Sequence, residues 1–324
     1  MSTSKIKAHP SHVVKIDEGV LVSRGLVSFK LAGKDIHPII QKILHLTNNT
    51  GVSKSELVTQ FDEISSTAIE NLIELLLERR ILYYTSDKNP NQPPITENPE
   101  HIFYWHFDSA HFQRKSLDNI SLLLAGNSML SKHLLDMLKI AGFKKITLID
   151  DSLPNSFSLE LDKNQTNSNS PALLDNKQEQ YDCLIATSDT NSTATLSFWN
   201  KISLERNWNY LPIALNNIHG YIGPYIIPRI TSCFECLVAR ENSNLTSLEL
   251  RRNTDSRRSI NGFHPVMPAI LAGLASMELV KFFTDIYTEN IGKLITINFI
   301  TQEMQSRKVL RVPHCRFCSA MIYA

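Results

Sequence analysis

The sequence predicts an α/β protein in which a doubly wound sheet domain follows a small N-terminal unit and carries a four-cysteine site. Three observations lead to this fold class. The first 84 residues alternate short β-branched runs with helical periods. From residue 119 onward, apolar strands alternate with helices. Four of the five cysteines form two Cys-x-x-Cys pairs.

The N-terminal unit, residues 1–84, has the pattern of a winged helix. Three β-branched runs are separated by Asp-Glu-Gly and Arg-Gly turns, which predicts a small meander. Ser53 with Glu56 three residues later predicts a capping box at the start of a helix. The predicted elements are strands 13–16, 20–23, 26–31 and 81–84 and helices 35–46, 54–61 and 66–80.

A linker over residues 85–100 separates this unit from the second domain, residues 101–324. Four prolines stand there among polar residues, which is typical of a domain boundary. A second polar stretch, 152–180, is rich in Asn, Ser and Gln and predicts a surface excursion inside the second domain.

The second domain begins with a strand–turn–helix, which is the position of the glycine-rich loop in nucleotide-binding folds. Gly126 occupies the first glycine position of G-x-G-x-x-G, but Ser128 and Ser131 occupy the second and third. A serine adds Cβ and Oγ where pyrophosphate would pass, so we interpret the turn as a degenerate nucleotide site. Asp150, after the second strand, and Asp189, after the third, complete that site; each also suits a strand end or a helix cap.

The two cysteine pairs, Cys233 with Cys236 and Cys315 with Cys318, predict a structural zinc site. A Cys-x-x-Cys turn places two thiolates at adjacent corners of a zinc tetrahedron, and two turns complete the coordination. Two other interpretations fit the pairs less well. A redox motif requires one such pair early in a thioredoxin-like unit, whereas this chain has two pairs late in the sequence. A disulfide requires an oxidising compartment, whereas a cytoplasmic protein is expected here. The fifth cysteine, Cys183, lies in an apolar strand and fits a buried side chain better than a nucleophile.

Composition excludes several function classes. The chain has 33 Lys and Arg against 32 Asp and Glu, which gives no global attraction to nucleic acid or to a membrane surface. The longest apolar run, 268–283, is interrupted by Glu278 and Lys281, so no membrane span is predicted and a cytoplasmic protein is expected. A basic run between Arg251 and Arg258 suits a solvated loop or a contact for an acidic partner equally well.

Two segments around the cysteines resemble a known family. Residues 223–228 read G-P-Y-I-I-P before the first pair, and residues 309–318 read V-L-R-V-P-H-C-R-F-C around the second. They resemble the ThiF-like, ubiquitin-activating-type adenylation fold, in the branch found in ribosomal-peptide biosynthesis. The chain looks like the leader-binding partner proteins of YcaO-type azoline cyclodehydratases, which make thiazole/oxazole-modified microcins (TOMMs). The likeness covers nearly the whole chain.

This resemblance implies that the chain binds the leader of a precursor peptide and presents it to a separate YcaO-type subunit. The leader is expected to add as a strand, with helix 66–80 as the other wall of its groove. The implied peptide-binding residues are Leu26, Val27, Ser28, Phe29, Lys30, Leu31, Ile69, Ile73 and Leu76. The expected cofactor is structural zinc without ATP, and a homodimer is compatible with the fold.

Two other functions remain open at this stage. Active adenylating enzymes have an intact glycine loop and an Asn-Leu-x-Arg-Gln segment, whereas Ser-Leu-Pro-Asn follows the two aspartates here. An ATP-dependent adenylating enzyme that tolerates both serines is the main alternative. A zinc-stabilised dehydrogenase-like fold that binds a nucleotide for regulation is the third interpretation.

Overall fold

A computed structural model describes residues 5–48, 51–61, 64–85, 98–107, 114–150, 179–190, 192–244 and 262–319. The chain divides into two compact units, Met1–His111 and Phe112–Ala324, which we call unit one and unit two. Unit one contains one large hydrophobic core cluster, and unit two contains two large clusters and a small one around cysteines.

Unit one contains two small antiparallel sheets and four helices among its described residues. One sheet has the order β5–β1–β6 and the other the order β2–β3–β4. The strands are β1 (Lys5–Ala8), β2 (His12–Ile16), β3 (Gly19–Arg24), β4 (Val27–Ala32), β5 (Val52–Ser53) and β6 (Leu82–Thr85). The helices are α1 (Ile36–Asn48), α2 (Lys54–Thr59), α3 (Ser66–Glu78) and α4 (Pro99–His106).

The elements predicted for unit one are present, and the sequence analysis missed β1, β5 and α4. The Ser53–Glu56 capping box at the start of α2 is confirmed: the Ser53 side chain accepts from the Glu56 N–H, and the Glu56 carboxylate accepts from the Ser53 N–H. The meander forms as β2–β3–β4. The assignment of this unit as a winged helix stays a prediction.

Helix α4 packs on unit one through Trp105. The Trp105 indole Nε1 donates to the Arg80 carbonyl at 3.3 Å, and the Arg80 guanidinium donates to the Trp105 carbonyl at 3.3 Å. The Arg24 guanidinium lies 5.0 Å from the centre of the indole ring, within the range of a cation–π contact. The division between the units therefore falls after α4, whereas the proline pattern starts the second domain at residue 101.

Unit two is built on a seven-stranded mixed sheet of order β13–β12–β11–β10–β9–β7–β8. Its strands are β7 (Ser121–Ala125), β8 (Lys145–Ile149), β9 (Cys183–Ser188), β10 (Asn209–Asn216), β11 (His219–Ile222), β12 (Lys293–Asn298) and β13 (Met304–Lys308). Its helices among the described residues are α5 (Met129–Ala141), α6 (Thr193–Arg206), α7 (Phe234–Ser243) and α8 (Val266–Phe283).

Four neighbouring strands, β10, β9, β7 and β8, are parallel, and helices cover both of their faces. Leu122 and Leu124 of β7 face α5 and α8, while Leu123 and Ala125 face α6 and α7. The predicted doubly wound arrangement is therefore present in this half of the sheet. Strands β11, β12 and β13 are antiparallel, which the sequence analysis did not anticipate.

Helix α8 is apolar on nearly all sides, and one of its faces lies in the core. Among the described residues it is the one helix long and apolar enough to cross a membrane. Leu271, Ala272, Ala275 and Leu279 have no exposed surface, and α8 packs along α5. Burial accounts for the apolar residues on this face, while Val266, Ile270 and Met277 on the rest of the helix are exposed.

Candidate functional site

The four cysteines of the two pairs come together as one buried cluster. Cys233 is the N-cap residue of α7, and Cys236 lies in the first turn of that helix. Cys315 and Cys318 follow β13 in the C-terminal turns. Their four Sγ atoms all lie within 4.8 Å of one another. The predicted convergence of two segments separated by about eighty residues of chain is confirmed.

The spacing of the sulfur atoms fits a tetrahedral metal ion. Cys233 Sγ lies 3.8 Å from that of Cys236 and 3.6 Å from that of Cys315, and Cys236 Sγ lies 3.6 Å from that of Cys318. A tetrahedron with Zn–S bonds of 2.3 Å has an edge of about 3.8 Å. A disulfide requires about 2.05 Å. The donor set is all sulfur, which suits zinc or iron–sulfur chemistry.

The thiols perturb one another strongly. The hydrogen bond from the Cys233 thiol lowers the pKa of Cys236 to about 4, and the same bond together with burial raises the pKa of Cys233. Burial and the neighbouring Cys236 raise the pKa of Cys318 to about 11. The first thiolate therefore forms easily, while further ionisation requires a cation in the cluster. The backbone N–H of Val312 lies 3.4 Å from Cys236 Sγ and stabilises that first thiolate.

Two arginines hold the C-terminal segment against the middle of unit two independently of the cysteines. Arg240 on α7 donates to the carbonyls of Leu310 and Arg311 at 2.7 and 2.8 Å. Arg311 donates in return to the carbonyl of Thr231 at 3.0 Å. No local sequence pattern predicts these contacts, because each one joins residues at least seventy positions apart.

The turn between β7 and α5 brings together the residues of the predicted nucleotide site. Gly126 has φ +140°, and a Cβ there would lie 2.2 Å from Thr187 Oγ1 and 2.7 Å from Ser131 Oγ. The glycine is therefore required by the close approach of two side-chain hydroxyls from the same unit. Ser131 Oγ and Thr187 Oγ1 are 2.7 Å apart and form a buried hydrogen bond.

Ser128 and Ser131 cap helix α5 reciprocally. The Ser128 Oγ accepts from the Ser131 N–H, and the Ser131 Oγ accepts from the Ser128 N–H at 3.2 Å. A helix N-terminus binds phosphate through free backbone N–H groups. Here two of those donors are already hydrogen-bonded within the turn.

Both predicted aspartates lie at this edge of the sheet. The side-chain amide of Asn127 donates to the Asp150 carboxylate at 3.0 Å. Burial raises the pKa of Asp189, and hydrogen bonds from the Met129 N–H and the Ser128 hydroxyl act against that shift. The Asp189 carboxylate therefore accepts from the first turn of α5, where a phosphate oxygen would accept in a nucleotide-binding relative.

The predicted peptide-binding strand, β4, forms one edge of the β2–β3–β4 sheet, and among the described residues no strand pairs with its outer side. Arg24 pairs with Val27 across a two-residue turn, and the register continues through Val22 with Phe29 to Val20 with Leu31. In such a hairpin the pair next to the turn is hydrogen-bonded, and hydrogen-bonded and non-hydrogen-bonded pairs then alternate along the two strands. The main-chain groups of the residues between these positions, Ser28, Lys30 and Ala32, therefore point away from β3.

The side chains expected on the helical wall of the groove need correction. Ile69, Ile73 and Leu76 are at most 1% exposed and belong to the core of unit one, since they form the inward stripe of α3. Leu72 on α3 and Phe29 and Leu31 on β4 are partly buried at the margin of that core. Arg79 lies 5.8 Å from the Phe29 ring centre. Leu26, in the turn before β4, is 80% exposed.

The structure describes one of the two remaining sequence features, the fifth cysteine, and not the other. Cys183 is fully buried, and burial raises its pKa to about 12, as expected for a packed side chain. The basic run 251–258 lies outside the described residues.

Comparisons with known proteins identify the fold. The pattern of the ThiF family matches residues 156–319. The structure of the heterocyclase TruD is similar with a TM-score of 0.65 and 16% identity, over 97% of this chain and 43% of that chain. A heterocyclase in complex with substrate and cofactor is similar with a TM-score of 0.63 and 18% identity, over 98% of this chain and 39% of that chain.

Escherichia coli MccB with ATP is similar with a TM-score of 0.66 and 18% identity, over 97% of this chain and 100% of that chain. This chain thus spans about two fifths of the length of the two heterocyclases and corresponds to MccB end to end. A search of curated protein sequences gave no match. The TM-scores of 0.63–0.66 show a shared fold, and at identities of 16–18% the likeness shows the fold alone.

Proposed function

This chain belongs to the ThiF family, and we propose that it captures the leader of a ribosomally made precursor peptide and presents that peptide to a YcaO-type cyclodehydratase. The product class is the thiazoline and oxazoline rings that such a partner forms from Cys, Ser and Thr. The chain works in the cytoplasm, with zinc as a structural ion and without ATP of its own. Unit one serves as the winged-helix recognition element.

The free edge of β4 is the observation that carries this proposal. An extended peptide that pairs with Ser28, Lys30 and Ala32 would satisfy main-chain groups that β3 leaves free. Phe29, Leu31 and Leu72 would provide apolar contacts for alternate leader side chains. Main-chain pairing gives affinity, and these contacts give sequence preference.

Two kinds of structural neighbour support a peptide-handling role. One is a heterocyclase in complex with substrate and cofactor. The other is Escherichia coli MccB in complex with forms of the peptide MccA. Tethering a peptide by its leader raises the effective concentration of its modifiable segment at that partner.

The hydrogen bonding of the β7–α5 turn supports a non-catalytic role. Ser128, Ser131 and Asp189 bond to each other and to the start of α5, so a nucleotide would have to displace them. The cysteine cluster supplies four donors and, with zinc bound, cross-links the C-terminal turns to α7. Zinc with four protein ligands leaves no position for substrate. A homodimer is compatible with this assignment.

The leader site is tested by introducing proline on one edge of the sheet or the other. Lys30→Pro removes an outward N–H of β4 and leaves β3 pairing intact, since proline is tolerated on edge strands. Lys15→Pro on β2 is the matched control, because Lys15 pairs with Val20 by the same alternation and its N–H also points outward. With a fluorescent leader peptide of the cognate precursor, we expect Lys30→Pro to weaken binding about tenfold or more, and Lys15→Pro to leave it unchanged.

If both proline variants weakened leader binding equally, or if neither weakened it, strand addition at β4 would be refuted. Leader binding that survives removal of residues 1–84 would move the peptide site out of unit one altogether.

The second candidate function is ATP-dependent adenylation of a peptide. The full-length correspondence with Escherichia coli MccB, whose structures include complexes with ATP and AMPCPP, favours it. Calorimetry with ATP, with and without leader peptide, separates the two. Submillimolar ATP binding or pyrophosphate exchange by this chain alone would replace the scaffold proposal with the adenylating one.

A further inference from the structure

A cleft of about 310 Å³ lies in unit two beside helices α6 and α7. Its floor comes from β10, β11 and β12, and its walls come from the start of α6 and the length of α7. None of its described lining residues belongs to the β7–α5 turn or to the cysteine cluster. This cleft is therefore distinct from both sites described above, and only the cavity that continues it reaches Cys315 of the cluster.

The floor and wall are apolar for reasons that the sequence makes plain. Ala214 pairs with Tyr221 across β10 and β11, so both side chains lie on the same face of the sheet. On α7, Phe234, Leu237 and Val238 stand at positions i, i+3 and i+4, which is one face of a helix. All five belong to or pack against the hydrophobic cluster on this side of the sheet.

Glu241 ends that helical stripe at position i+7 and is the one charged residue among the described residues that line the cleft. Its side chain reaches solvent, yet desolvation by the surrounding groups raises the pKa of its carboxyl. Burial raises the pKa of Tyr221, with the Glu241 carboxylate adding to that shift. Within the part of the chain that the structure describes, no hydrogen bond or ion pair to this carboxylate is formed.

The cleft continues past Val238 and Asn242 into a second cavity of about 530 Å³. Thr193, Val238 and Asn242 line both, so the two form one elongated groove along α7. The side-chain amides of Asn216 and Asn242 can donate to carbonyls and accept from N–H groups. The second cavity is more polar, since its lining includes Glu235, Arg316 and Cys315 of the cysteine cluster. An elongated groove that is apolar along the stripe of α7 and polar beyond it suits an extended peptide better than a compact small molecule.

We propose that this groove binds a peptide segment that sets an arginine or lysine side chain against Glu241 and its apolar neighbours over Phe234 and Leu237. The Glu241 carboxylate selects a cationic side chain, because the other acidic residue of the groove, Glu235, already faces Arg316 at 3.6 Å. The stripe on α7 selects apolar flanks. This site goes beyond leader capture, because it would hold a second part of a peptide on unit two. It does not depend on β4.

The test uses two short probes that contain no leader sequence. They are N-acetyl-Leu-Arg-Leu-amide and its counterpart with citrulline, a neutral side chain of the same shape. Binding to the full chain is followed by methyl NMR at Leu196, Leu237, Val238 and Leu294, which line the groove. We expect the arginine probe to shift these methyl signals with about fivefold higher affinity than the citrulline probe, as for a partly solvated ion pair.

Glu241→Gln should abolish the difference between the probes, and Glu303→Gln, on an exposed turn, should preserve it. Equal affinity of both probes for the wild-type chain, or an unchanged preference in Glu241→Gln, would overturn the proposal. The four arginines of 251–258 can be changed to glutamine as a further control. If the probes bound only to that variant, the groove would be occupied by the chain's own basic run, and the proposal would be overturned. The Lys30→Pro variant should bind both probes normally, so failure of the leader site and failure of this groove are distinguishable.

Discussion

The cysteine cluster and the β7–α5 turn both have the residue pattern of a ligand site, and they differ in what their polar atoms contact. In the cluster, four sulfur atoms are linked to each other only by contacts of 3.6–3.8 Å. In the turn, Ser128, Ser131 and Thr187 form hydrogen bonds at 2.7–3.3 Å, and Asp189 bonds to the start of α5. The side chains of a site remain available to a ligand only where their donors and acceptors are not already hydrogen-bonded to one another.

The chemistry of the two residue types explains why the outcomes differ. Thiols are weak hydrogen-bonding groups, and several thiolates cannot be close together without a cation. Serine hydroxyls donate and accept at once, so two of them close a capping box without any ligand. The same argument predicts that the cluster needs its metal for stability, whereas the turn is stable by itself.

Removing one metal ligand should have the largest effect of the changes considered. We expect Cys236→Ser to reduce bound zinc from about one ion per chain to almost none and to lower the free energy of unfolding by roughly 3–5 kcal/mol. Metal analysis and denaturant unfolding measure the two effects.

Cys183→Ala is the matched control, since it removes a buried cysteine outside the cluster. It should keep its zinc. If Cys236→Ser retained a full complement of zinc, the cluster would not be the metal site.

The turn should lose stability when its central hydroxyl is removed. Ser131→Ala breaks the bonds to Thr187 and Ser128 and leaves a buried Oγ1 with a weaker partner, which we expect to cost about 2 kcal/mol. Ser306→Ala, on exposed strand β13, should change stability by less than about 0.5 kcal/mol. If Ser131→Ala left the free energy of unfolding unchanged, the hydrogen bonds of the turn would not be what holds it closed.

Much of the fold follows from local pattern. The β7 run of leucines and the helical stripes of α3 and α5 are visible in sequence because burial imposes their periods. The antiparallel strands escaped detection because β13 is exposed along its whole length and has no alternation. Strand β1 is only four residues long and pairs with β5 and β6, from distant parts of the chain.

The sites divide in the same way. Cysteine spacing predicted the cluster because each pair is a local turn, and the ligand geometry follows from four such residues. The role of Asp189 as the acceptor for the Met129 N–H could not be predicted, since it depends on where β9 lies relative to α5. Helical period marks Ile69, Ile73 and Leu76 as an inward stripe, and assigning them to a ligand conflicted with that signal.

The arginine contacts give a smaller test of the cluster. Arg311→Met keeps the apolar stem and removes donors to the Thr231 carbonyl, so we expect a loss of about 1 kcal/mol with zinc content unchanged. Arg307→Met on β13, which contacts only the nearby Gln305 side chain among the hydrogen bonds described, should have almost no effect. Loss of zinc in Arg311→Met would show that the arginine contacts hold the cysteines in place for the metal.

The smallest effect expected is a gain of stability in Asp189→Asn. Because burial raises the pKa of Asp189 in the folded state, its contribution to stability is present below the unfolded pKa and is lost as the pH rises through the folded pKa. Asparagine cannot ionise and still accepts from the Met129 N–H. The variant should therefore be more stable at pH 7, by less than about 1 kcal/mol, and the difference should shrink below about pH 4. A variant less stable at pH 7 would mean that the helix N-terminus stabilises the charged carboxylate more than burial penalises it. The turn would then still bind an anion as strongly as a nucleotide site does. It would differ from the cysteine cluster only because the Asp189 carboxylate already occupies the place of that anion.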